Sequence, residues 1–166
     1  MAKKAVTVTL YMSEIIYEVE NKTFLTGRAR DNGQNFEESA DMRANADDEN
    51  RNQIIRSIGN AFHTLKTKVS EYLVESGTSS NNVQISDSTN LTVALQMPSN
   101  YNPATRDTIS AALHQYIVNI AVAEWFNIFD KNDAGDYLNM AAANLTQLRE
   151  ALNKRVRPER TEVTTP

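Results

Sequence analysis

Alternating apolar and polar positions mark two short segments of the chain as β-strands. Residues 5–11 place Val6, Val8 and Leu10 on one face and polar side chains on the other, and residues 83–97 repeat this pattern, most clearly over LTVALQM. A period of two with β-branched residues is typical of half-buried strands. Because a single strand is not stable alone, the first needs a partner within the chain or on a neighbouring subunit. The second segment could form a hairpin of its own.

Apolar residues at spacings of three and four predict four helices. The predicted helices span residues 13–30, 48–76, 103–129 and 133–156. Such spacing places the apolar side chains on one face of each helix. The first of these segments also fits a strand, because its Ile, Tyr and Val residues favour both structures. A close helix–helix contact would explain Gly59 within the second helix. The core-facing stripe of the fourth helix consists of Leu138, Ala141, Leu145, Leu148 and Leu152.

Polar residues and glycines at the ends of these segments predict helix caps. Ser13 can cap the first helix, and Asn102, followed by proline, can cap the third. Asn132 or Asp133 can cap the fourth, and Gly77 is placed to end the second.

The third predicted helix is apolar on more than one side. Leu113 and Ile117 lie on one stripe, and Val118 and Val122 lie on another. A helix with two apolar stripes must be covered on both sides, either by the rest of the chain or by another subunit.

Residues 31–50 interrupt the helical pattern with seven acidic residues and one basic residue, Arg43. No apolar period is sustained there, so we expect a solvated linker. An acidic loop that meets a basic partner is the alternative. The spacing of a calcium-binding loop is absent.

These elements predict a single domain, residues 1–166, of the mainly α class. Forty per cent of the 166 residues are hydrophobic, which is enough for one modest core. The expected architecture is a small bundle of three to four helices with a short β-hairpin or strand pair and extended N- and C-terminal arms. Residues 157–166 form the C-terminal tail in this prediction.

The sequence contains no readable catalytic or metal-binding pattern. There is no cysteine, and His63 and His114 have no second ligand at helical spacing. Neither a nucleophile elbow nor a phosphate-binding glycine loop is present. We therefore expect no catalytic, cofactor-binding or metal-binding residues and no enzymatic activity. No run of 18 apolar residues exists, so no membrane contact is expected.

Apolar and basic clusters instead suggest contacts between protein subunits. Aromatic residues are favoured anchors of interfaces, although an aromatic cluster on a helix also fits the core. A basic helix end can serve a partner or simply complement the helix dipole. The candidate interface residues are Val6, Val8, Leu10, Trp125, Phe126, Phe129, Lys154, Arg155, Arg157 and Arg160.

The segment ISAALHQYIVNIAVAEWFNIFDKNDAGDYLNMAAANLTQLREALNKR resembles the helical head-to-tail connector (adaptor) proteins of tailed bacteriophages. The matching positions are Tyr116, Ala123, Trp125, Phe126, Tyr137, Leu145, Leu148 and Leu152. The stretches VTVTLYMSEIIYEVENKTFLTGR and LQMPSNYNP resemble virion proteins of phages that infect Bacteroides-type hosts, including crAss-like phages. The connector-like match covers about a third of the chain. The chain departs from the almost wholly helical pattern of those adaptors, because its extended segments are long.

The resemblance implies a structural virion protein, made in the host bacterial cytoplasm, that forms a homo-oligomeric, dodecameric ring in the neck. Its implied partners are the portal, other neck or tail ring proteins and, in passing, packaged DNA. The extended segments leave open another neck or tail ring or a tail-completion protein. Two other classes also stay open: a small helical regulatory binding module, and an enzyme with an atypical site near His63 or His114.

Overall fold

The computed structural model describes residues 3–44, 47–74 and 85–158, without the side chain of Phe129. The described elements are β1 (Lys4–Leu10), α1 (Met12–Ala29), α2 (Phe36–Asp41), α3 (Asp48–Lys68), β2 (Leu91–Met97), α4 (Arg106–Phe129) and α5 (Lys131–Asn153). Short 3₁₀ turns occupy Ser70–Tyr72 and Pro103–Thr105. The predicted class, mainly α with a strand pair, is confirmed.

Helix α4 lies at the centre of the bundle, because α1, α3, α5 and β1 all pack against it. Leu113, Ile117, Val118 and Val122 are fully buried, so both predicted apolar stripes are covered, and the chain itself covers them. Even its polar Asn119 is buried, and its side-chain oxygen accepts a hydrogen bond from Lys22 at 2.9 Å.

Strands β1 and β2 pair with each other in antiparallel register, from Lys4 opposite Met97 to Leu10 opposite Leu91. The partner of the first strand therefore lies within the same chain. The suggested hairpin within residues 83–97 is not observed in the described part of that segment. The strand partner of β2 is β1, and Ile85 is in no strand. Val83 lies outside the described residues.

Residues 31–50 are not only a solvated linker, although all seven acidic side chains are exposed. They contain helix α2, and the side chains of Met42 and Ala44 are buried. The amide of Ala44 donates to the Thr23 hydroxyl at 3.1 Å. A six-residue helix is too short to show a hydrophobic period, which explains why the sequence pattern failed here.

The observed helix caps differ in part from the predicted ones. Helix α1 begins after Tyr11 with no capping side chain, so Ser13 is not its cap. Asp130 caps α5, rather than Asn132 or Asp133, because it is the single residue between α4 and α5. Asn102 caps the 3₁₀ turn Pro103–Thr105, with its side chain accepting from the amide of Ala104 at 3.0 Å, whereas α4 itself begins at Arg106 with no capping side chain. Gly77 lies outside the described residues.

Two packing expectations were also wrong in detail. Leu138, expected in the core-facing stripe of α5, is 51% exposed, whereas Ala141, Leu148 and Leu152 are buried. Among the described residues, a Cβ atom at Gly59 would meet only the side chain of Ile85, which is in no helix, so no helix–helix contact is seen there.

Candidate interaction surface

Five of the expected interface residues lie in the core of the chain. Val6, Val8 and Leu10 face inwards from β1, and the side chains of Trp125 and Phe126 are 5% and 0% exposed. Side chains this deeply buried cannot anchor a partner, so the interface prediction was wrong for these residues. The apolar pattern correctly indicated that these side chains are buried, but they are buried within the same chain and not against a second subunit.

The basic C-terminal residues lie at the surface where they are described. Lys154 and Arg157 are exposed, and Arg155 is partly buried, with its guanidinium donating to the carbonyl of Leu152 at 2.8 Å. Arg160 and the side chain of Phe129 lie outside the description. An interface role for Lys154, Arg155 and Arg157 remains a prediction.

Ionic contacts fasten the C-terminal end of α1 to the junction of α4 and α5. Arg30 forms ion pairs with Asp130 and Asp133. The hydrogen bond from Arg30 lowers the pKa of Asp130, whereas burial raises the pKa of Asp133. The hydroxyl groups of Thr26 and Tyr137 lie 3.0 Å apart and add a second link between α1 and α5. This end of α1 is therefore held in a fixed position.

The same end of α1 receives helix α2 at unusually short range. A Cβ atom at Gly27 would lie 2.6 Å from the carbonyl oxygen of Ser39 and 3.3 Å from the Cβ atom of Met42. The indole of Trp125 donates to the carbonyl of Met42 at 2.9 Å. The small residue at 27 and the indole hydrogen bond together position α2 against α1.

This packing creates a groove, which we call the aromatic–arginine groove, between α1 and α2. Its volume is about 470 Å³, and its lining includes Phe24, Arg28, Phe36 and Arg43. Phe36 is 70% exposed, and the guanidinium of Arg43 lies 4.8 Å from the centre of the Phe24 ring. Exposed aromatic rings beside arginines are typical of protein-binding surfaces.

Sequence reasoning did not find this groove. Phe24 and Phe36 belong to different elements, and α2 was itself missed. The available signal was the placement of Tyr17 and Phe24, which are seven residues apart, on the side of α1 opposite its buried residues.

A second polar cluster joins α1 to α4. The carboxylate of Glu18 lies 2.7 Å from the His114 ring, accepts from the Gln115 amide at 2.8 Å and lies 3.2 Å from the Lys22 ammonium. Burial raises the pKa of Glu18, but the hydrogen bonds from Gln115 and His114 and the charge of Lys22 together lower it. The cluster borders a cleft of about 540 Å³ that also contains Glu14.

The two histidines differ in their surroundings. His63 is exposed on α3, and His114 is engaged by Glu18. Within the described ranges no group of three or more potential metal ligands comes together. The polar cluster around Glu18 links α1 to α4.

None of the helices in the described ranges combines the length and hydropathy needed to cross a membrane.

Comparison with known proteins adds no family to these observations. The chain matches no family model, no curated protein and no solved structure.

Proposed function

We propose that the chain is a structural virion protein that forms a homo-oligomeric ring in the head–tail connector of a tailed phage, between the portal and the tail. Its partners are further copies of itself, the portal and adjoining neck or tail ring proteins. The proposal places the protein in the virion neck and assigns it no catalytic role.

The observation that carries the proposal is the aromatic–arginine groove. It exposes residue types that anchor protein contacts, and it lies where Arg30 fastens α1 to the α4–α5 junction. A ring subunit needs such surfaces at fixed positions, because each contact must repeat with one geometry for the ring to close.

The connector resemblance supports the same proposal from a separate direction. The segment that carries it folds as two long helices, α4 and α5, joined by Asp130 alone. The basic residues Lys154 and Arg157 are exposed just beyond α5, where they can meet an acidic neighbour or pass near packaged DNA.

Protein composition of purified particles tests the proposal. Virions of a phage that encodes this chain are purified by density gradient, and their proteins are quantified by mass spectrometry relative to the portal. The proposal predicts that the chain is present in a fixed ratio to the portal. Its absence from intact virions would overturn the proposal.

A small helical regulatory module is the second candidate, because the same groove could hold an apolar helix from one partner. This function predicts a chain that is abundant in infected cells and missing from particles. Tagged protein recovered from infected cells and from virions in the same experiment separates the two functions.

A further inference from the structure

Helix α1 exposes a stripe of residues at alternating spacings of three and four. Glu14, Tyr17, Asn21, Phe24 and Arg28 form this stripe, which we call the α1 outer face. Such spacing gives one continuous seam along a helix. The buried residues of α1 lie on its opposite side.

The α1 outer face and its margin expose three large apolar or aromatic side chains. Tyr17 is 66% exposed and Leu25, at its margin, is 51% exposed, while the ring of Phe24 is 37% exposed. Exposed aromatic residues beside an arginine are typical of protein interfaces.

The charges of the α1 outer face are complementary to those of the same face on a second, antiparallel copy. Glu14 and Arg28 lie seven residues before and seven after Asn21, so a second α1 placed antiparallel sets each carboxylate against the partner's guanidinium. The same alignment sets Tyr17 against Leu25 of the other copy, and Asn21 against Asn21. An asparagine pair at the centre of a helix seam can fix the register of two helices.

Neither charged end is engaged by a side chain of the described residues. Among the described residues, Glu14 and Arg28 take part in none of the ion pairs, and both side chains are exposed. Helix α1 rises about 1.5 Å per residue, so the two charges are roughly 21 Å apart along the axis. Two of these pairs can therefore form at once at the two ends of an antiparallel contact.

We propose that the α1 outer face binds a second copy of this chain in antiparallel orientation, with a twofold axis at Asn21. Charge complementarity and the exposed aromatic residues identify this occupant. The inference goes beyond the proposed ring, since the subunits of a cyclic ring meet through two different surfaces, whereas this contact uses one surface twice. It would join two copies whether or not the chain belongs to a virion. Phe24 and Arg28 also line the aromatic–arginine groove, so the antiparallel pair is a state of the free chain that a ring contact through the groove replaces.

Charge reversal tests the pairing. E14R and R28E each set like charges against each other in a homodimer, so we expect the dissociation constant to rise at least about tenfold for each variant. An equimolar mixture of the two variants opposes an all-basic face to an all-acidic face, and the double variant E14R/R28E exchanges the two charges within each chain. Both should recover self-association.

The measurement is sedimentation velocity from micromolar to millimolar concentration. E71R and R56E are the matched controls, because Glu71 and Arg56 are exposed outside α1, and both should associate as the wild type does. Circular dichroism and thermal unfolding verify that every variant is folded. A wild type that stays monomeric throughout, or a mixture that does not associate, would overturn the proposal.

A single cysteine tests the symmetry axis. The chain has no natural cysteine, so in N21C every disulfide joins residue 21 of two copies, which requires Cα atoms within about 7 Å. We expect N21C to oxidise to a covalent dimer in dilute protein, and the outward-facing control E71C to remain monomeric. Efficient dimerisation of both variants, or of neither, would contradict a twofold axis at Asn21.

Discussion

Replacing Gly27 with alanine probes the contact that shapes the aromatic–arginine groove. The new Cβ atom would lie 2.6 Å from the backbone oxygen of Ser39, which cannot rotate away as a flexible side chain could. Over-packing of this kind costs about 1–3 kcal/mol. Alanine in place of glycine inside a helix returns about 1 kcal/mol. The difference is a net loss of about 0–2 kcal/mol, so we expect Gly27→Ala to lower the free energy of unfolding by about 1 kcal/mol.

Gly135 provides the matched control, because it also lies within a helix, α5, and no atom of the described residues outside that helix would meet its Cβ within 4 Å. Gly135→Ala should gain about 0.5–1 kcal/mol from helix propensity alone. In a chain of this size about 1 kcal/mol corresponds to a Tm change of about 2–4 °C. Thermal and urea unfolding by circular dichroism should therefore move the two variants in opposite directions. Equal stabilisation by both substitutions would refute the close approach of α2 to Gly27.

Two further substitutions test the links that hold α1, α2 and α4 together. Trp125→Phe removes the donor to the carbonyl of Met42 and leaves that oxygen without its indole partner, so urea unfolding should show a loss of about 1–3 kcal/mol; unchanged stability would contradict the contact. Glu18→Gln tests pH dependence. Burial raises the pKa of Glu18, but Gln115 and His114 outweigh it, so the folded pKa lies below the ordinary 4.5. A lowered acid pKa adds stability above the unfolded pKa, and this stability is lost as the pH falls through the folded pKa. The free energy of unfolding should therefore decrease less in Glu18→Gln than in the wild type between neutral pH and the region below about 4.5, and identical pH profiles would contradict the assignment.

The long elements were predictable because their patterns are local. Helix α3 follows its predicted apolar spacing through Ile54, Ile58, Phe62 and Leu65, all buried. The alternation in β1 and β2 likewise gave the correct buried faces. The pairing of these strands was not predictable, because their register depends on contacts between residues more than 80 positions apart.

The candidate surface was harder to predict. A hydrophobic pattern indicates which side chains are buried, but it does not indicate whether the same chain or another subunit covers them. Trp125 has the residue type of an interface anchor, but its side chain is buried within the chain and its indole donates to Met42, just after α2. Phe24 and Phe36 come together only because Gly27 lets α2 approach. A six-residue helix and one close backbone contact leave no periodic signal in the sequence.

The central claim is that this chain is a component of the phage neck, and the ratio of the chain to the portal in purified virions tests it most directly. The proposal predicts a fixed ratio, near equality if both rings are dodecameric, that persists after stringent density-gradient purification. A chain that is present in infected cells but absent from intact particles would contradict the proposal.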